Sequence, residues 1–309
     1  MDFLTCAILN GPFAFFSIMV NLFYAFCMVR PNHGMRIKQP LKLLLSSIIF
    51  CTLIYLISVC LLFLVNVSKE NVYFLLASYV VLAWSLSTSL SSSVWLNFFY
   101  CTQIVPAQTD LFIWIKKNIK PVIYCIWLVE RIWGLIDVGV MFFDYLNLNN
   151  HIYISWSYNI TMPPGAVYIH IPSTFKSNVY DIAKHIMHCH FFLSFSVMMI
   201  SSGSTIAYLC THMHRMVGNG LPSPNFRSQV RVTVTGIVQG VLYFFCSMMT
   251  VYKAFSEPVS KELLNPYTHF TLVNFYVTGS SLTLGAGQSL FRRRVEGMWL
   301  RAAQCCKAN

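Results

Sequence analysis

The chain has 309 residues, 56% of them hydrophobic and only 10% charged, against about 25% charged in an ordinary soluble domain. The net charge of +11 would suit nucleic acid in a soluble protein, but its basic residues fall in gaps between long apolar stretches, which excludes that partner. The length fits a single bundle over 1–309 with short connections and no second large domain.

Seven apolar stretches follow one another: Cys6–Val29, Leu41–Val65, Val72–Cys101, Pro121–Phe143, Ile186–Cys210, Val230–Tyr252 and Pro266–Leu290. Each exceeds the roughly 20 residues that a helix needs to cross a bilayer. Hydrocarbon satisfies no backbone polar group, so spans of this length are expected to be helical. The expected fold is an all-α membrane protein, a seven-transmembrane helix bundle. The first stretch has no basic leader and no clear small-residue cleavage site, and basic residues follow it. It therefore reads as a retained anchor rather than a signal peptide.

Polar residues inside the stretches need partners. Asn21 in the first, Gln239 in the sixth and Asn274 in the seventh are expected to face neighbouring helices as structural glue. The third stretch carries Ser85, Ser87, Thr88, Ser89, Ser91, Ser92 and Ser93. Hydroxyls can bond their own helix backbone, but this density predicts a helix in the middle of the bundle. Trp84, near its outer end, either lines a pocket or anchors the helix at the interface.

The next gap contains Phe112–Lys120, and the tail contains Arg292–Arg294 followed by Val295, Met298, Trp299 and Leu300. Both are expected to be amphipathic surface segments that bind anionic membrane lipids and leave a basic face for a cytosolic partner. The fourth stretch holds Glu130, Arg131 and Asp137. Glu130 and Asp137 are seven apart and share a helix face. From Pro121 to Glu130 is about 14 Å of rise, which predicts a buried interhelical pair or a neutral carboxyl. A span that starts later would instead leave Glu130 and Arg131 near the inner surface.

Residues 144–185 read as a long outer loop, with Pro163, Pro164, Gly165 and Pro172 favouring turns. It would serve as a lid or as a solvated surface loop. None of the eleven cysteines lies in it, so a disulfide from the third helix to this loop cannot form. Asn66-Val67-Ser68 and Asn159-Ile160-Thr161 are glycosylation acceptors in gaps of the same side. His185, His188, His190, His212 and His214 lack an acidic partner set, and no metal site is expected. Residues 291–309 form a short tail in which Cys305 and Cys306 suit acylation or fall there by chance. No nucleophile elbow, phosphate-binding glycine loop or cofactor motif is present, so neither enzyme chemistry nor a cofactor is expected.

Basic residues gather in alternate gaps. Arg30, Arg36, Lys38, Lys42, Lys116, Lys117, Lys120, Arg215, Arg227, Arg231 and the tail arginines lie on one side. Only Lys69, Lys176, Lys184, Lys253 and Lys261 lie on the other. The positive-inside rule places the C-terminus in the cytoplasm and the N-terminus outside.

Leu96-Asn97-Phe98-Phe99-Tyr100, at the inner end of the third helix, resembles the Leu-Ser/Asn-x-Phe-Tyr segment of the bitter taste receptor family, the type 2 taste receptors. Phe112-Ile113-Trp114-Ile115-Lys116-Lys117 is similar to its Phe-Leu-x-Leu-Lys-x run. His212-Met213-His214-Arg215-Met216 resembles its His-x-x-Lys/Arg-Met, and Pro224 and Arg231 match its approach to the sixth helix, where Gln229 replaces a histidine. Tyr243 falls at a frequent aromatic position, and Asn21 resembles a first-helix asparagine. In the seventh helix Ser280 and Leu290 are retained, while the family's His, Asn and Lys are lost. Asp-Arg-Tyr after the third helix and Asn-Pro-x-x-Tyr in the seventh are absent, unlike ordinary rhodopsin-like receptors.

The resemblance implies a divergent G protein-coupled receptor in the plasma membrane that detects small bitter or toxic compounds and activates a heterotrimeric G protein of gustducin/Gi type. A small-molecule agonist is expected between helices three, five, six and seven, at Trp84, Thr88, Tyr267 and His269. Tyr100, His212, Arg231 and Tyr243 are the expected coupling or switch residues. A vomeronasal-type chemosensory receptor is the alternative, followed by a small-molecule transporter or channel subunit.

Overall fold

The structure is a computed structural model that describes residues 3–30, 39–68, 72–157, 173–217, 224–256 and 266–308. Among these residues the secondary structure is helical: α1 (Phe3–Val29), α2 (Leu41–Ser68), α3 (Val72–Ile104), α4 (Asp110–Lys117), α5 (Ile119–Ser157), α6 (Ser173–Val217), α7 (Pro224–Ser256), α8 (Pro266–Gly287) and α9 (Ser289–Ala308). Six of the apolar stretches lie each within one long helix. The last is divided, because α8 stops at Gly287 and α9 starts at Ser289. Among the described residues, four helices carry spans apolar and long enough to cross a membrane, Leu4–Val29, Leu41–Leu64, His188–His212 and Val230–Met249. The molecule thus has an all-α, multi-span membrane fold. The buried polar side chains of the remaining long helices include the hydroxyls of α3, Glu130 on α5 and Asn274 on α8.

Helices α5 and α6 extend well beyond the apolar stretches that define them. α5 continues to Ser157 and α6 begins at Ser173. Residues 144–157 and 173–185, expected as parts of a loop, are therefore helical. Pro163, Pro164, Gly165 and Pro172 all lie outside the described residues.

The long helices follow a ring. α1 packs on α2, α2 on α3, α3 on α5, α5 on α6, α6 on α7, α7 on α8, and α8 back on α1. α3 also touches α6 and α7, which makes it central. Its hydroxyls explain why such close neighbours are tolerated: Ser85, Ser91 and Ser93 bond carbonyls of their own helix, while Thr52 on α2 pairs with Ser89 at 3.1 Å.

Two apolar layers fill the bundle. One contains Tyr55, Val59, Leu82, Met198, Tyr243 and Tyr276, and the other contains Leu44, Ile48, Leu96, Ile123, Leu284 and Phe291. Polar bonds join α1 to α8 along most of their contact. Asn10 donates to Thr271 at 2.9 Å and accepts from Asn274 at 3.0 Å. Tyr55 on α2 donates to Asn274 at 2.9 Å, Ser17 to Thr278 at 2.9 Å, and Asn21 to Ser281 at 2.8 Å. Without water nearby, such bonds hold helices in register that apolar contact alone would let slide.

Small residues permit close approach at the α7–α8 and α1–α8 seams. A Cβ on Gly279 would lie 2.7 Å from Leu242, and one on Gly285 would collide with the Tyr24 ring. Outward-facing side chains such as Phe13, Phe50, Leu135, Ile200 and Phe245 are exposed and apolar, as lipid contact requires.

Candidate functional site

Trp84 and Thr88 are one turn apart on α3 and turn toward α5. A Cβ on Gly134 would lie 3.5 Å from Trp84 Nε1 and 4.0 Å from Thr88 Oγ1. Both polar atoms are sealed from solvent and have no hydrogen-bond partner. Thr88 is only 2% exposed. Sealed polar groups without partners are uncommon and mark places where a further polar group is accommodated.

Trp84 and Thr88 are thus brought together, and His269 stands on α8, which packs against α1 and α7. Tyr267 is on the same helix, but its side chain lies outside the described residues.

Below Gly134 by one turn, Glu130 is buried. Trp95 Nε1 donates to its Oε1 at 2.8 Å, and His190 Nε2 on α6 stands 3.2 Å from Oε2. The His190 ring stacks on Trp133, with centroids 5.2 Å apart and planes at 18°. Arg131 turns the other way. It donates to Ser91 and Ser92 at 3.3 and 3.4 Å and lies over the Trp127 ring at 5.3 Å. Glu130 thus has an interhelical partner, and the partner is one of the histidines that the sequence offered only as metal ligands. Asp137 is on α5, but its side chain lies outside the described residues. No cluster suited to a metal ion occurs among the described residues.

At the other end of α3, two narrow crevices, the larger of them reaching α8, share Asn97, Tyr100, Val232 and Gly236. Their walls come from α3, α6, α7 and α8. Tyr100 accepts a hydrogen bond from Gln288, the residue between α8 and α9. Asn97 donates to Ser202 on α6 at 2.6 Å, and a Cβ on Gly236 of α7 would lie 3.1 Å from Asn97 Oδ1. A single turn of α3 therefore reads the positions of α6, α7 and α8 together.

The other singled-out residues are spread around this end. Arg231 is exposed on α7. His212 is half-buried on α6 with its ring 5.8 Å from Tyr208. Tyr243, in contrast, is buried in an apolar layer farther along α7. Gln239 is within 3.5 Å of Ser280 and also lines the larger crevice. Asn97, Gln288 and His190 were missed in the sequence because their roles depend on helices far away in the chain. The burial expected of any polar residue deep in a span was the available signal.

The same end carries the two surface helices. Thr109 caps the start of α4, its side chain accepting from Phe112 N at 3.4 Å, and α4 has no buried residue. Leu111, Trp114, Val295, Met298, Trp299 and Leu300 are exposed on α4 and α9. Cys305 is exposed, while the side chain of Cys306 lies outside the described residues. So does that of Asn66, in the last turn of α2, and Asn159 lies outside them altogether.

Residues 13–302 match the family model described as taste receptor protein (TAS2R). No curated protein matches the chain. Among solved structures, squid rhodopsin superposes with a TM-score of 0.61 at 11% identity, covering 98% of this chain and 86% of that one. At that identity the likeness concerns the fold, which is related to the rhodopsin architecture of G protein-coupled receptors.

Proposed function

This chain belongs to the taste receptor protein (TAS2R) family, and from that membership we propose how it detects a compound and what it activates. It is a chemosensory G protein-coupled receptor, a multi-pass protein of the plasma membrane, and not an enzyme. The observation that carries this reading is the family match over residues 13–302. In the proposal the bundle crosses the membrane seven times, with the N-terminus outside and the tail, residues 291–309, in the cytoplasm. The basic residues of α4 and α9 support this orientation. Residues 144–185 cover the outer opening, and Asn66 and Asn159 carry glycans there.

A small, largely apolar bitter compound binds in the outer half of the bundle. Trp84 and Thr88 contact it, with His269 and Tyr267 contributing from α8. Sites of this kind are concave, apolar and supplied with few polar groups. Binding favours one of two preexisting helix packings. The side that moves is the end bearing the crevices at Asn97 and Tyr100, where α6 and α7 part from α3. Arg231 and His212 then meet a gustducin-like Gα of the Gi type, and Tyr243 transmits the shift along α7. No bond is made or broken.

The test is co-expression with a gustducin-type Gα and a calcium readout against a panel of bitter compounds. A Gα-dependent response is expected. Substrate uptake or ion current that needs neither agonist nor Gα would overturn the reading.

A further inference from the structure

Glu130 is the one buried carboxylate among the described residues, and two indoles lie in its contact network. Trp95 bonds one of its oxygens, and Trp133 forms the wall on which His190 stacks. Gly134 follows Glu130 by one turn on the same helix face, and there Trp84 Nε1 and Thr88 Oγ1 point at the helix without hydrogen-bond partners. A carboxylate accepts about four hydrogen bonds, and here Trp95 and His190 supply its contacts. Arg131, the adjacent cation, is committed to Ser91, Ser92 and the Trp127 face.

A carboxylate beside aromatic faces is the combination that recognises an organic ammonium, through charge and through the negative ring face. His190 sits as such a group would, with its N–H toward Glu130 and its ring flat on Trp133. We propose that Glu130, Trp95 and Trp133, with Trp84 and Thr88 one turn away, form a subsite for the ammonium group of an amine ligand, and that His190 is its internal occupant. The ligand nitrogen takes the place of the imidazole on Glu130. Trp84, which packs against Gly134, swings off α5 to admit the apolar remainder, and its Nε1 and Thr88 Oγ1 then meet the ligand's polar substituents. This inference rests on the receptor reading for what binding then causes, and it names the chemistry of the ligand at that site.

The test uses the purified full-length chain in lipid nanodiscs. The probes are benzyltriethylammonium and its uncharged carbon isostere, read by saturable quenching of tryptophan fluorescence. The ammonium is expected to bind at least tenfold more tightly than the isostere. Glu130→Gln, which keeps an acceptor for Trp95, should abolish that preference. His190→Ala should bind the ammonium as tightly as wild type or more tightly. Equal binding of both probes to wild type overturns the subsite, and this comparison needs no variant to fold. Unchanged ammonium preference in E130Q overturns it too, and a loss in H190A as large as in E130Q overturns the displacement. Failure of the receptor reading looks different. In that case no compound evokes a Gα-dependent signal, although the nanodisc protein still discriminates the probes. If instead neutral agonists signal and the probes bind alike, the subsite falls and the receptor reading stands.

Discussion

Tyr100 near the end of α3 accepts a hydrogen bond from Gln288, the residue at which α8 gives way to α9. The bond ties the central helix to the last long one beside the two crevices. In the proposed mechanism this contact belongs to the resting packing. Tyr100→Phe removes about 1 kcal/mol, a factor of about five in the balance between packings. Basal signalling should rise, and the agonist concentration for half response should fall by up to that factor. Unchanged basal signalling at equal surface expression would remove Tyr100 from the switch.

Asn274 links three helices by donating to Asn10 and accepting from Tyr55. Asn274→Ala removes the donor to the buried Asn10 Oδ1 and the acceptor of the buried Tyr55 hydroxyl, at a cost of about 1–3 kcal/mol. A thermal melt of the detergent-solubilised chain should show a lower midpoint. Asn21→Ala breaks one bond to Ser281 and should lower it less. A larger effect from Asn21 would contradict this ranking.

How much of this was legible in the sequence depends on the range of the cause. The central place of α3 followed from its hydroxyls, because density of small polar groups is a local property. The amphipathic α4 and α9 were legible for the same reason. The full lengths of α5 and α6 were not, since residues 144–157 and 173–185 are too polar to stand out as apolar stretches. The break at Gln288 was not drawn as a helix end, because Ala286 before it and Leu290 and Phe291 after it carry the apolar stretch past it. The partner of Glu130 was the hardest case. His190 is 60 positions away, and no periodicity links residues on different helices. Trp84 and Thr88 were singled out together, but only the packing reveals that they face Gly134 on α5.

Glycine seams give a sharply paired prediction. A Cβ at Gly285 meets the Tyr24 ring, whereas one at Gly203 meets nothing within 4 Å. Gly285→Ala should destabilise the chain by about 1–3 kcal/mol through overpacking between α1 and α8. Gly203→Ala, in a helix interior, should be neutral or stabilising by up to about 1 kcal/mol. Melting midpoints of the two variants should therefore move in opposite directions, or only the first should move.

The proposed orientation is read by glycans. Enzymatic deglycosylation should shift the mass of the wild-type chain and leave an Asn66→Gln, Asn159→Gln double variant unchanged. Glycosylation of an acceptor tag inserted beside α4 would contradict the orientation.

Nucleotide exchange on a purified gustducin-type Gα, with the receptor in nanodiscs and an active compound from the bitter panel, tests the central claim most directly. The account predicts agonist-dependent exchange that falls when Arg231, exposed on α7, is replaced by alanine. Exchange that no compound stimulates, together with agonist-independent ion current through the purified chain, would contradict it.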